Sequence, residues 1–269
     1  MVKLKKIFVS MSVAFALVFS LFAAGVMADA HTAKLRVVHA SPDAPAVDVY
    51  VNGDLTLEEV PFKADSGYLD VPAGTHDVEV FAAGTEYAEG TGVLQADLTV
   101  EAGKAYTVAA ANLLESIEFV VAEDSMEVTE GQTKIRVGHL SPDAPAVDVG
   151  VIDGDALFSG AEFKGITDYA ELDPGTYDLE IRLPDGTQVL PLEGTELAAD
   201  TVYSVFAVNT VDSLEVIALV DYEAAASPDE MPTTGLGTPG QNQTNWMLVI
   251  GAMSAVIAGG LVFRKRFQN

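Results

Sequence analysis

Residues 39–51 read HASPDAPAVDVYV, and nearly the same letters return at residues 139–151 as HLSPDAPAVDVGV. The match extends upstream, where Lys34 corresponds to Lys134 at the same offset of 100 residues. Later matches are displaced only by small insertions and deletions that fall between apolar segments, where loops tolerate them. The chain therefore contains an internal duplication, and each copy is built around one SPDAPAVDV segment.

The segment that follows the prolines has a periodicity of two residues. Val47, Val49 and Val51 alternate with Asp48 and Tyr50, and an Asn-Gly pair follows. This pattern predicts a half-buried strand that ends in a tight turn. Similar alternation returns in HDVEVF, ADLTV, AYTVAAA and IEFVV, which Gly-rich or Pro-rich turns separate. We therefore expect an all-β chain whose two tandem domains are antiparallel β-sandwiches of the immunoglobulin-like or transthyretin-like kind.

The composition restricts the function. The chain has no cysteine, which excludes disulfides, thiolate zinc sites and cysteine nucleophiles. Its formal net charge is −26, and six of its 14 basic residues lie in the terminal segments, so the middle is strongly acidic. Such a surface repels nucleic acid and anionic lipid, and neither is an expected partner. No cofactor is expected.

The N-terminal residues 1–30 have the layout of a secretory signal peptide. A basic start precedes an apolar run over residues 7–24, and small residues permit cleavage after Ala28 or Ala30. An uncleaved membrane anchor is the alternative, because the apolar run is long for a signal peptide. In either case, the two repeats are exported.

The C-terminal residues contain three further segments in order. A polar spacer over residues 223–245 is followed by an apolar stretch over residues 246–263, which is long enough to cross a bilayer as a helix, and by a basic cytoplasmic tail over residues 264–269. The spacer contains a short motif of five residues: Met231, Pro232, Thr233, Thr234 and Gly235. Between the two ends we expect β-sandwich domains at residues 34–128 and 134–222.

Two of these features resemble known families. SPDAPAVDV resembles the hallmark of a bacterial extracytoplasmic domain of unknown function, number 4397, which implies fold and location but no activity. The C-terminal arrangement resembles an LPxTG cell-wall sorting signal with Met231 in the first position. The resemblance implies that a sortase cuts between Thr234 and Gly235 and joins the chain to the wall. Because Met231 departs from the pattern, a permanent single-pass membrane anchor is the alternative.

The repeated motif supplies candidate ligands. A metal or other ligand would be held by an imidazole and two carboxylates in each copy: His39, Asp43, Asp48, His139, Asp143 and Asp148. The competing interpretation is structural, because two prolines stiffen the turn and the acids can bond backbone N–H groups. A hydrolase could start from His39, Ser41 and Asp43, but neither a G-x-S-x-G motif nor an oriented base accompanies them.

Two less specific hypotheses concern other residues. A Lys–Asn isopeptide bond would join Lys34 to Asn112 and Lys134 to Asn209. An aromatic platform for glycans would draw on rings in both repeats: Tyr50, Tyr68, Phe81, Tyr106, Tyr169, Tyr177, Tyr203 and Phe206. Most of these rings are expected to be core or cross-strand partners instead.

Together these features predict a cell-surface protein that is structural or adhesive and not an enzyme. Its expected partners are a sortase, the cell envelope and, through residues 246–263, the membrane. A carbohydrate- or cation-binding module is the alternative function, with an unknown glycan or matrix ligand, and an extracellular hydrolase is the third hypothesis. Because the connection between the repeats is short, we expect the two sandwiches to form a semi-rigid tandem rod.

Overall fold

A computed structural model describes residues 31–225 of the chain. These residues contain sixteen β-strands and two single-turn 3₁₀ helices, so the predicted all-β class is confirmed. The first repeat contains β1 (Thr32–His39), β2 (Val47–Val51), β3 (Asp54–Val60), β4 (Leu69–Pro72), β5 (Gly74–Ala82), β6 (Leu94–Val100), β7 (Ala105–Ala111) and β8 (Glu118–Asp124). The second contains β9 (Thr133–His139), β10 (Val147–Val151), β11 (Ala156–Ala161), β12 (Ala170–Leu172), β13 (Gly175–Arg182), β14 (Gln188–Leu197), β15 (Thr201–Val208) and β16 (Glu215–Glu223). The 3₁₀ helices, Leu114–Ser116 and Val211–Ser213, precede the last strand of each repeat.

Each repeat forms two four-stranded sheets. In the first repeat the strand orders are β4-β1-β7-β8 and β3-β2-β5-β6, and the second repeat has the corresponding orders β12-β9-β15-β16 and β11-β10-β13-β14. The pairs β1–β7 and β9–β15 are parallel, whereas the other strand pairs in the described residues are antiparallel. The prediction of a sandwich is correct, but the prediction that its strands are all antiparallel is wrong. A parallel pair needs a long crossover, which β2 to β6 provide.

The core of each sandwich contains the side chains that the alternation predicts. In the first repeat Val47 and Val49 of β2 pack with Leu35 and Val37 of β1 between the two sheets. In the second repeat the corresponding core includes Ile135, Val137, Val147 and Val149, and Phe158 of β11 adds a ring. The alternating residues of β1 and β2 therefore close the sandwich from both sides.

The central strands of the inner sheets, those that contain β1 and β9, are buried on both faces. All seven positions of β7 are buried, which explains why AYTVAAA lacks polar alternation. Behind this sheet lies a third apolar core, shared by the two repeats, in which Val38, Ala109 and Val120 pack with Phe206 and Leu219. The described residues consequently form one compact unit with four sheet layers.

This packing corrects the expectation of a tandem rod. A rod of separate sandwiches would leave the outward face of each inner sheet exposed, but that face is apolar and needs a cover. Each repeat covers that face of the other. The connection is also held in place, because the Gly131 N–H donates to Asp200 (2.7 Å) and the Lys134 amine donates to the Glu127 carbonyl (2.9 Å).

Several predictions fall on residues beyond the described part of the chain. They are the signal peptide at residues 1–30, the sorting motif at residues 231–235 and the membrane helix at residues 246–263. Within residues 31–225, no helix has the length and apolar character to cross a membrane. The repeat boundaries 34–128 and 134–222, understood as separate domains, stay a prediction.

Candidate functional site

The repeated motif forms a corner between the first two strands of each repeat, and a buried histidine holds it. His39 ends β1, and its Nδ1 accepts the Ser41 N–H (3.3 Å), so the ring proton lies on Nε2 and is donated to the Pro45 carbonyl (3.0 Å). The ring is 1% exposed, and burial lowers the pKa of His39 despite the bond to Pro45. His39 is thus a neutral clamp across the proline turn.

The second repeat has the same clamp. His139 is fully buried, its Nε2 lies 3.0 Å from the Pro145 carbonyl, and its Nδ1 accepts the Ser141 N–H at 3.2 Å. The repetition of both contacts shows that the imidazole is used in the same structural way in each copy.

The first motif carboxylate caps a 3₁₀ helix from outside. Asp43 Oδ1 accepts the N–H of Leu114 at 2.7 Å, and Asp143 Oδ1 accepts that of Val211 at 2.8 Å. These N–H groups open the two 3₁₀ helices, where the first donors have no partner inside the helix. The exposed Asp43 and Asp143 therefore join the corner to the segment before the last strand.

The second motif carboxylate holds a bulge in the neighbouring strand. Asp48 accepts the N–H of Glu59 (2.7 Å) and that of Gly84 (3.1 Å), while Asp148 accepts that of Gly160 (2.7 Å). Glu59 (φ 52°) and Gly160 (φ 64°) have left-handed backbone, at points where the strand register shifts. A residue with a Cβ is strained there, so Asp48 offsets an unfavourable backbone conformation at Glu59, whereas the second repeat has a glycine at this position.

The structure does not bring the six candidate ligands together as a site. Each carboxylate and imidazole bonds backbone groups of a different loop or strand, and residues 31–225 contain no group of three or more His, Asp or Glu side chains that could hold a metal ion. The ligand hypothesis has no geometric support in this part of the chain and stays a prediction. For the hydrolase hypothesis, His39 accepts from the Ser41 backbone N–H and not from the Ser41 hydroxyl, which donates to Asp43 Oδ1 (3.4 Å) instead. The imidazole is therefore not placed as a base for that oxygen.

A different constellation of polar groups lies between the repeats, and the sequence interpretation missed it. Arg36 of β1 is 2% exposed and donates to Asp221 Oδ1 (2.5 Å) and to the Val220 carbonyl (3.1 Å), both on β16 of the other repeat. Arg136 of β9 reciprocally donates to Asp124 and, at 2.8 Å, to the Glu123 carbonyl. Two buried ion pairs thus cross between the inner sheets.

Hydroxyl groups satisfy the remaining carboxylate oxygens. Asp124 Oδ2 accepts from Tyr68 (2.6 Å) and Thr107 (2.7 Å). Asp221 Oδ2 correspondingly accepts from Tyr169 (2.7 Å) and Ser204 (2.5 Å). Each tyrosine ring also lies under a guanidinium, with the carbon Cζ at 4.6 Å in the first repeat and 4.7 Å in the second. We call these six side chains, together with Arg36 and Arg136, the inter-repeat network.

The electrostatics of the network are those of paired charges in a buried space. Burial alone would lower the pKa of Arg36, but Asp221, Tyr68 and Asp124 oppose this and the net pKa is raised. Burial, assisted by the neighbouring carboxylates, raises the pKa values of Tyr68 and Tyr169 far above their usual value. The Arg36 guanidinium therefore stays charged and both phenols stay neutral.

The structure shows that the predicted isopeptide pairs are wrong. Lys34 pairs with Ala105 at the start of β7, whereas Asn112 follows the end of that strand, which places them about 23 Å apart at ~3.3 Å per residue. The Lys34 amine instead bonds Asp70 (3.2 Å), and the Lys134 amine bonds a backbone carbonyl. Parallel pairing of the first and seventh strands is the physical reason.

The two asparagines belong to surface ion pairs between the repeats. Asn112 donates to Glu118 (3.2 Å), whose other oxygen accepts from Lys164 (3.1 Å) of the second repeat. Asn209 donates to Glu215 (3.0 Å), which pairs with Lys63 of the first repeat. Bonding to Lys63 lowers the pKa of Glu215, so this group is an ionised surface partner.

The aromatic residues do not form one platform across both repeats. Phe81, Tyr106 and Phe206 are buried, and Tyr68 and Tyr169 belong to the inter-repeat network. Tyr50 stacks on Tyr87 with ring centroids 4.4 Å apart, but Gly150 occupies the position of Tyr50 in the second repeat. The half-buried Tyr50–Tyr87 pair is consequently a feature of the first repeat alone.

Comparisons with solved structures find matches of low similarity. The chain is 12% identical to a carbohydrate-binding module of family CBM26 from Eubacterium rectale in complex with maltoheptaose, with 68% of this chain and 95% of that chain covered and a TM-score of 0.23. Candidate cell adhesion proteins from Bacteroides uniformis (12% identity, 70% and 98% covered, TM-score 0.23) and Bacteroides ovatus (10%, 73% and 99%, 0.24) are also matched. No curated protein matches the chain. At these TM-scores the similarities transfer no function.

Comparison with protein families is more informative. Residues 225–268 match the LPXTG cell wall anchor motif, which supports a cell-wall-anchored surface protein. Residues 33–150 and 150–232 match the domain of unknown function DUF4397, and the boundary between these matches cuts through β10 and does not follow the repeats. Because the two segments cover well over half of the sequence, the chain belongs to the DUF4397 family.

Proposed function

We propose that this cell-wall-anchored protein is a structural or adhesive display module that performs no chemistry of its own. The observation that carries the proposal is the use of the motif side chains. Its histidines and acids hold a proline corner, a 3₁₀ helix and a strand bulge in both copies. Because these side chains bond backbone groups in both repeats, the motif is suited to a structural role in a scaffold.

The joining of the repeats supports the same role. The two sandwich cores, the core shared by the repeats and the inter-repeat network unite residues 31–225 into one body without any disulfide. A body with continuous cores transmits force and holds its outer loops in fixed positions. We infer that the anchor keeps this body at the cell surface, with its acidic exterior towards the surroundings.

We further propose that a sortase processes the C-terminal segment. The enzyme would cut between Thr234 and Gly235 and join Thr234 to the wall, leaving residues 246–263 in the membrane. The family match to a cell wall anchor motif supports this route over a permanent membrane anchor.

One experiment tests adhesion and the runner-up function together. Residues 31–225 would be applied to arrays of glycans and extracellular matrix proteins, with and without calcium. We expect calcium-independent binding to a matrix protein or no binding at all. Glycan binding that is lost in Tyr87→Ala but kept in Tyr177→Ala would replace the proposal with a carbohydrate-binding module. Binding that requires calcium would favour the cation alternative.

A further inference from the structure

The two repeats contact each other through equivalent surfaces, which are formed by corresponding residues of each repeat. Arg36 on β1 corresponds to Arg136 on β9, and Asp124 on β8 corresponds to Asp221 on β16. Each repeat therefore presents one buried cation and one buried anion, together with apolar side chains of the same strands. We call this surface the exchange face.

The contacts across the exchange face are reciprocal. Arg36 bonds a carboxylate and a carbonyl on β16, and Arg136 bonds a carboxylate and a carbonyl on β8. The rim repeats the relation, because Lys63 pairs with Glu215 of the second repeat and Lys164 pairs with Glu118 of the first. This is the pattern of an isologous dimer interface, here within one chain.

We propose that a second copy of this chain is a partner for the exchange face. In the exchanged state, repeat 1 of one chain pairs with repeat 2 of a neighbour, and the remaining two repeats pair in the same way. Every contact across the exchange face is recovered, so the two states differ in the linker, including its own bonds such as Gly131 to Asp200, and in the cost of association. This is the energetic condition for domain swapping.

Side-chain sizes specify that repeat 1 pairs with repeat 2 and not with its own kind. Val38 and Ala109 lie side by side on β1 and β7, whereas the corresponding positions in the second repeat hold Gly138 and Phe206. A Cβ at Gly138 would lie 2.4 Å from the Phe206 ring, so the large ring needs that glycine. Two copies of repeat 2 would bring two Phe206 rings into the shared core, and two copies of repeat 1 would bring none. The pairing of unlike repeats fills this core.

The connection sets the concentration at which exchange competes with closure. Residues 125–132 join β8 to β9, and eight residues reach at most about 26–29 Å when extended. A short tether of this kind gives the second repeat an effective concentration on the order of millimolar. Closed monomers are therefore expected in dilute solution, and exchange where chains are crowded, as on a cell wall.

Charge reversal in two separate variants of residues 31–225 tests the proposal. Arg36→Glu places like charges against Asp221, and Asp221→Arg does the same against Arg36. When the variants are mixed, an exchanged heterodimer contains one wild-type interface and one with the ion pair reversed. We expect a mixed dimer of twice the monomer mass by native mass spectrometry, and neither variant alone to form it. Lys34→Glu mixed with Asp70→Arg is the matched control, because that pair is exposed, and should give monomers.

Two further measurements cover the case in which the variants fail to fold. The double variant R36E/D221R shows whether the reversed pair is tolerated inside one chain. If it folds as a monomer while the mixed single variants form no dimer, the proposal is wrong. Wild-type protein, half of it labelled with ¹⁵N, would also be unfolded and refolded at about 1 mM, the concentration range of the tethered repeat. Dimers of intermediate mass are expected, and recovery of monomers alone would overturn the proposal whatever the variants do.

Discussion

Removal of one guanidinium from the inter-repeat network provides the most direct test of how the repeats are held together. In Arg136→Met the side chain keeps most of its length and apolar stem, but Asp124 loses its strongest partner. The carboxylate then has two hydroxyl donors, Tyr68 and Thr107, and the Arg36 guanidinium at 3.8 Å. Because both charges of the original pair are almost fully buried, the free energy of unfolding should fall by about 3–5 kcal/mol.

The assay is urea denaturation of residues 31–225, followed separately by tyrosine fluorescence and by circular dichroism. A single coincident transition is expected for the wild type, since the shared core makes the repeats unfold together. Lys34→Met is the matched control and should leave the midpoint unchanged, because Lys34 and Asp70 are exposed. A loss below about 1 kcal/mol in Arg136→Met would refute the reasoning, since that is the range of a solvated surface pair.

Three other predictions concern the motif and the anchor. Because burial lowers the pKa of His39, the folded state binds its proton less readily than the unfolded state, whose pKa is about 6.5. The contribution of His39 to stability is thus complete above pH 6.5 and declines as the pH falls towards the lower pKa of the folded state. NMR titration of the ring nitrogens should show a neutral imidazole below pH 6.5. A titration midpoint at 6.5 would contradict this prediction. Asp48→Ala should lower the free energy of unfolding by about 1–3 kcal/mol. The loss in Asp148→Ala should be smaller, because that carboxylate accepts one N–H bond and Asp48 accepts two. Equal losses of the two variants in thermal denaturation would be the contrary result. In a host with a sortase, Pro232→Ala should move the protein from the wall fraction to the membrane fraction on immunoblots while Met231→Leu keeps it in the wall; an unaltered Pro232→Ala variant would argue for a permanent membrane anchor.

The strands could be predicted from sequence because each has one face in the core of its own sandwich. Val47 and Val49 alternate with polar neighbours, and the structure places both in that core. The partners of each strand could not be predicted in this way, because periodicity reports the burial of a face and not which strand lies alongside. The parallel β1–β7 pair is therefore absent from the sequence interpretation, and so the isopeptide pairs were placed wrongly.

The inter-repeat network was missed for a related reason. In KLRVVH the alternation directs Leu35 and Val37 into the core and places Arg36 on the opposite face. A charged residue on that face is ordinarily predicted to be exposed to solvent. The face is in fact covered by the other repeat. One signal was present: Arg36 and Arg136 were kept in both copies beside β7 and β15 sequences that are apolar on both faces, AYTVAAA and TVYSVFAV. Strands buried on both sides require a cover, and a duplicated chain supplies one.

The buried charges between the two repeats fix how the two inner sheets align with each other. Sheet faces lined by small residues such as Ala109 and Ala111 pack closely but can slide past one another at little cost. A guanidinium that must meet a carboxylate and a particular carbonyl of the opposite edge strand permits one alignment only. A buried ion pair adds little stability compared with a well-packed apolar pair, so its use in both halves fits a role in alignment. Replacement of both pairs by apolar residues should accordingly preserve the free energy of unfolding, while the two inner sheets lose their single alignment and the exchanged dimers include misaligned pairs.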